Sequence, residues 1–197
     1  MERIFKRKTY RQLLEWKATE NGRTAILVEG ARRVGKSTIV EQFARKEYKS
    51  YILIDFNKVG KNVVELWDDL MDLDRIFLLL QQIFKTTLYE RNSVIIFDEV
   101  QKCPPARQAI KYLVQDGRYD YIETGSLISI HKNTRNITIP SEEDRITMYP
   151  MDYEEFRWAL GDMASVPLFE QQYNSRISLG DAVVRLNMRD FRPYMLV

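Results

Sequence analysis

A single cysteine and a single histidine stand in 197 residues, and that scarcity removes whole classes of chemistry. Cys103 has no second cysteine to pair with, so no internal disulfide staples the fold, and a reducing cytosolic setting suits the chain. It precedes Pro104-Pro105 without the Cys or His spacing of a zinc site and reads as structural. His131 alone supports neither a histidine-based triad nor a multi-histidine metal centre. Long apolar runs are missing as well. The longest, Ile76 to Leu80, is far short of the roughly 20 residues that cross a bilayer, and the start, Met1 to Lys8, is charged where a signal peptide would be apolar. Neither sign of charge is in excess: 30 basic against 28 acidic residues leave +2, so no overall field points to an anionic membrane, and nucleic acid as a partner has no support in the composition.

What is present suits a globular protein. A content of 45% hydrophobic and 29% charged residues allows one well-buried core and a small appended lobe. Arg7 to Lys17 reads as a lead-in helix carrying Leu13, Leu14 and Trp16. Apolar runs of strand length then alternate with amphipathic segments. Thr24 to Glu29, Tyr51 to Phe56, Ser93 to Asp98 and Tyr119 to Thr124 read as strands, with a fifth at Arg145 to Tyr149. Ser37 to Lys46, Asp72 to Leu88 and Ala106 to Asp116 read as helices. This alternation predicts an α/β fold whose parallel sheet is covered on both faces and collects ligands at the carboxyl ends of its strands. From Pro150 the pattern turns helical, with one helix over Tyr153 to Leu160 and another or two within Ser178 to Met195. Three regions are expected: a lead-in over 1–20, a core over 21–160, and a helical lid or the start of a truncated C-terminal region over 161–197. The last residues, Tyr194 to Val197, carry no polar tail, which leaves truncation and a docked apolar terminus both open.

Directly after the first strand stands Gly30-Ala31-Arg32-Arg33-Val34-Gly35-Lys36-Ser37, followed by Thr38. Gly30 and Gly35 permit close approach and backbone geometry that a Cβ obstructs, and the free N–H groups from Gly35 to Thr38 open a helix whose dipole favours negative charge. The spacing is that of a phosphate-binding P-loop, in which Lys36 meets the outer phosphates and the Ser37 hydroxyl helps to hold Mg2+. Mg2+ then requires a carboxylate at the tip of a neighbouring buried strand. Val94-Ile95-Ile96-Phe97-Asp98-Glu99 supplies one: Asp98 for the metal, and Glu99 behind it as general base or water positioner. Thr124 or Ser126, at the end of the fourth strand, is placed to sense a terminal phosphate, a turn role being the other reading. Arg145 has two readings, a phosphate-reaching arginine acting in its own or an adjacent subunit and a surface ion pair with Glu142 or Glu143.

With these residues in hand, the chain resembles prokaryotic AAA-type P-loop ATPases of the group related to archaeal ATPases. Gly30 to Ser37, the block Phe97-Asp98-Glu99-Val100-Gln101-Lys102-Cys103-Pro104, the run Thr124-Gly125-Ser126-Leu127 and the stretch Tyr149 to Phe156 carry the resemblance in order. It implies a P-loop fold with strand order 5-1-4-3-2, ATP and Mg2+ as ligands, and the roles given for Lys36, Ser37, Asp98 and Glu99. Relatives commonly continue into a winged-helix-like region and a further C-terminal domain; by the resemblance this chain is expected to be the ATPase portion alone, with a homo-oligomer or an effector-domain partner as the expected associations. The family often has Gly-Arg where this chain has Asp144-Arg145.

ATP hydrolysis coupled to conformational change or assembly is the first expectation. A non-hydrolysing ATP-gated switch uses the same pocket, and a small-molecule kinase fits less well without an arginine-rich lid. Guanine specificity lacks its reading motif, since Asn57-Lys58-Val59-Gly60 has no acid and follows the wrong strand.

Overall fold

The computed structural model describes residues 5–126 and 142–196; Leu127 and His131 lie outside them. The chain divides into two compact units, Thr9–Tyr149 and a second formed by Met1–Lys8 with Pro150–Val197.

In the larger unit, strands β1 (Ala25–Gly30), β2 (Ser50–Asp55), β3 (Ser93–Asp98), β4 (Asp120–Ser126) and β5 (Glu143–Met148) form one parallel sheet. Their order is β2-β3-β4-β1-β5, the order expected of a P-loop fold. β1, β3 and β4 are buried throughout, which is why they read as continuous rather than alternating apolar runs. Helices cover the sheet on each side. Ala25, Leu27, Ile52, Ile54, Ile95, Phe97 and Tyr121 share one core with α3 (Lys61–Val64), α4 (Leu73–Phe84) and α5 (Pro104–Asp116). Ile26, Val28, Val94, Ile96, Ile122, Ile146 and Met148 share the other with α1 (Lys8–Glu20) and α2 (Lys36–Glu47). Trp67 meets Phe97 edge-on, with ring centroids 5.0 Å apart, so the strand that delivers Asp98 is wedged by an aromatic immediately before its tip.

Local signals set the helix ends. α5 opens on Pro104-Pro105, where the missing N–H groups cost nothing, and closes at Gly117 in the left-handed conformation, φ 73°. α4 begins under an Asp72 cap, whose carboxylate accepts from the Arg75 N–H at 2.9 Å. It ends earlier than its apolar spacing predicts. Lys85 turns left-handed at φ 51°, and Leu88 reaches the core from a loop, its N–H bonded to the Gln81 side chain at 2.9 Å. β4 runs past Thr124 to Ser126 because Gly125 and Ser126 pair with Glu29 and Gly30 of β1.

The smaller unit contains α6 (Tyr153–Ala159), α7 (Ser165–Asn174) and α8 (Gly180–Tyr194); α7 has no counterpart in the sequence reading. Asp152 and Glu155 form a reciprocal capping box at the start of α6, and Glu155 also takes Arg7 at 3.2 Å and the Lys8 N–H at 2.7 Å. Arg157 pairs with Asp190 at 2.6 Å, joining α6 to α8 beside the ring of Tyr153, which meets Phe191 and Tyr194 edge-on. Among the described residues, no helix is long and apolar enough to cross a membrane.

Candidate functional site

Every group singled out at a strand's carboxyl end lies in the larger unit. Gly30 ends β1 against Met148 of β5, and a Cβ there would drive into the Met148 carbonyl oxygen; only glycine lets the chain leave the sheet at that point. The loop then curls through left-handed residues at Arg33, φ 66°, and Gly35, φ 95°, the alternation that turns successive N–H groups inward into an anion-binding concavity. Gly35 is the N-cap of α2 and offers no side chain to its first turn, which also contains no acid. The first intrahelical bond runs from the Ile39 N–H to the Gly35 carbonyl at 3.0 Å, so the preceding amides of Lys36, Ser37 and Thr38 point beyond the helix. Ala31, Arg32, Arg33 and Thr38 are exposed around this mouth.

Lys36 is buried, and its ammonium donates to the carbonyls of Gly30 at 3.2 Å and Ala31 at 2.8 Å. Burial pushes its pKa down; Glu99 and then Asp98 pull it back, and Arg32 adds to the lowering. A desolvated ammonium folded onto two neutral carbonyls, beside uncapped helix amides, fits a polyanion.

Beneath the loop, the Ser37 hydroxyl donates to Asp98 Oδ1 at 2.6 Å. The buried Thr124 hydroxyl donates to that same oxygen and accepts the Glu99 N–H at 3.2 Å. Ser37 and Asp98 together make a hydroxyl–carboxylate oxygen pair of the kind Mg2+ uses when phosphates and water complete its octahedron. Among the described residues, no group of three or more His, Cys, Asp or Glu side chains forms a self-sufficient metal cage, so such a cation would depend on its ligand's phosphates.

Glu99 is held unusually. It is left-handed at φ 57°, ψ 45°, its carbonyl accepts the Lys102 N–H at 3.0 Å, and its carboxylate accepts the Gln101 side-chain amide. Gln101 was not marked as a site residue by sequence reasoning, although it lies inside the quoted block two residues after the acid. Ser126 is buried on the α2 side of β4, opposite Gly30 in the ladder.

Arg145 does not join this group in its own chain. It pairs in register with Leu27, three positions before Gly30, or about 10 Å at the usual strand rise, and its guanidinium binds Glu143 at 3.0 Å. The ion-pair reading holds, with one difference: the Glu143 side chain is itself sealed from solvent, and it leads to Arg107 and Glu123 in the core.

Comparison with known proteins gives a family. The family model described as an AAA domain matches residues 22–157, well over half of the chain. None of the curated proteins matches. Among solved structures, the structure of C. elegans PCH-2 aligns at 14% identity with a TM-score of 0.39, covering 72% of this chain; the chain spans 44% of that structure's length.

Proposed function

The chain belongs to the AAA domain family, and from that membership and the loop geometry we propose that it binds Mg-ATP and hydrolyses it, coupling the nucleotide state to a conformational change or to assembly. The observation that carries the reading is the convergence of Lys36, Ser37 and Asp98 at the mouth of α2, with Glu99 adjoining. The amides of Gly35 to Thr38 cradle the phosphates, and Lys36 leaves the Gly30 and Ala31 carbonyls to meet the outer ones. Ser37 and Asp98 would hold Mg2+, which supplies charge neutralisation along the triphosphate. Glu99 orients a water and accepts its proton as the new bond to the terminal phosphorus forms and the bond to the bridging oxygen breaks, releasing ADP and phosphate.

One observation favours the slower alternative, a switch that holds ATP and hardly turns it over: the Glu99 carboxylate is already engaged by Gln101. Purified chain with Mg-ATP separates the two. Turnover lost in Glu99→Gln with binding retained supports hydrolysis. Tight binding with no turnover in the native chain supports the switch. If calorimetry finds no ATP binding by the native chain, folded and with magnesium supplied, both readings fail. Lys36→Ala is expected to weaken binding about 10- to 100-fold, the cost of a lost charge-assisted contact.

A further inference from the structure

The sequence offers Thr124 or Ser126 as the sensor of a terminal phosphate, with a turn role as the other reading, yet the one hydroxyl of Thr124 is used within the protein as both donor and acceptor. It donates its proton to Asp98 Oδ1 and accepts the backbone N–H of Glu99, and its side chain is fully buried. Resting on the Mg-ATPase reading, we propose that Thr124 is a positioning residue: it ties the metal-side acid to the water-side acid, so that Asp98 and Glu99 are set in one frame before nucleotide arrives.

The physical case has three parts. First, a hydroxyl has a single proton. Committed to Asp98, that proton is not free for a phosphate oxygen, which distinguishes a tie from a sensor. Secondly, Glu99 occupies a left-handed conformation that a side-chain-bearing residue adopts only when its surroundings impose it. Thr124 holds the amide on the N-terminal side of that conformation, and the bond from the Lys102 N–H holds the carbonyl on the other. Releasing the amide lets residue 99 relax toward the right-handed region, which swings the carboxylate away from the pocket. Thirdly, Ser37 and Thr124 both donate to Oδ1. The carboxylate plane of Asp98 is therefore held from α2 and from β4 together, and without Thr124 only the Ser37 bond restrains its rotation about χ2. Displacements of about 1 Å at reacting groups cost on the order of 100-fold in rate.

The test compares Thr124→Val, which keeps the branched shape without the hydroxyl, with Thr124→Ser, which keeps the hydroxyl. Two readouts are taken: steady-state Mg-ATP turnover, and hydrogen exchange at the Glu99 amide in nucleotide-free protein. The tie predicts that Thr124→Val lowers kcat about 10- to 100-fold with KM for ATP within about threefold. It also predicts Glu99 amide exchange at least about tenfold faster, and near-native values of both in Thr124→Ser. A raised KM with kcat unchanged would make Thr124 a phosphate contact and overturn the proposal. So would native exchange and turnover in Thr124→Val, or a Thr124→Ser variant as impaired as Thr124→Val. Should Thr124→Val fail to fold, Thr124→Ala carries the same comparison. If the native chain turns over no ATP, the hydrolysis reading fails while the exchange measurement still decides the tie.

Discussion

The guanidinium of Arg107, on α5, lies 3.3 Å from the carboxylate of Glu123, on β4, with both side chains sealed from solvent. Glu143 of β5 approaches the same guanidinium at 2.8 Å, and Arg145 closes the row from the partly exposed end. Two acids and two arginines thus line up between α5 and the face of the sheet that it covers, and one of the acids, Glu123, immediately precedes Thr124 in the chain. Burial pushes the Glu123 carboxyl well above the ordinary glutamate range; Arg107 opposes that shift and Glu143 adds to it.

Arg107→Met leaves two buried carboxyls without their shared cation, and the expected loss is about 3–5 kcal/mol, the usual consequence of removing one member of a buried pair. Urea unfolding measures it. Adding Glu123→Gln to Arg107→Met removes one of the stranded acids and should recover part of that loss. Equal stability of the single and double variants would show that Glu123 does not depend on Arg107.

The Glu123 shift also gives stability a pH dependence of definite sign. A carboxyl raised in the folded state binds its proton more tightly there than in the unfolded chain, where it titrates near the ordinary 4.5. Its contribution is therefore complete below about pH 4.5 and is lost as pH rises from there through the folded value. Against Glu123→Gln, the native chain should lose urea midpoint with rising pH across that window. Parallel curves for the two proteins would contradict the shift.

The same row marks the limit of what the sequence makes legible. Runs of strand length between helical segments locate the five strands, and Gly30 to Ser37 with Asp98 predicts the loop and the acid that meet at Ser37, because backbone geometry and burial impose those residue types locally. Glu123 and Arg107 are different. A charge inside a buried strand is a visible anomaly, but its partner lies 16 residues away on a helix, and only the packed sheet brings Glu143 to both. The helix expected over Asp72 to Leu88 overruns for a related reason: the three-and-four spacing persists past Phe84 because Leu88 is buried from a loop, while the left-handed turn at Lys85 carries no glycine to announce it.

Gly30→Ala and Gly35→Ala should differ in a predictable order. At Gly35 the added Cβ meets a left-handed backbone, φ 95°, which costs about 1–2 kcal/mol. At Gly30 it meets the Met148 carbonyl, and relief requires moving β5 away from β1. Gly30→Ala is therefore expected to lower the melting temperature more than Gly35→Ala. Both should weaken nucleotide binding in calorimetry, since each reshapes the loop. A Gly30→Ala variant as stable as the native chain would mean that β5 yields without cost.

Gln101 provides the sharpest test of how Glu99 is held. Its side-chain amide donates to the Glu99 carboxylate, so removing it frees the acid. If the hydrolysis reading is right, Gln101→Leu should reduce kcat about tenfold, with KM for ATP nearly unchanged, because the disturbed group orients water rather than nucleotide. Glu99→Gln should reduce it further. Where Gln101 acts on turnover through Glu99, the double variant should be no slower than Glu99→Gln alone, the non-additivity expected of residues that work as one unit. The switch reading predicts the opposite sign: if Gln101 restrains an otherwise competent acid, Gln101→Leu turns ATP over faster than the native chain, and the same assay reports it.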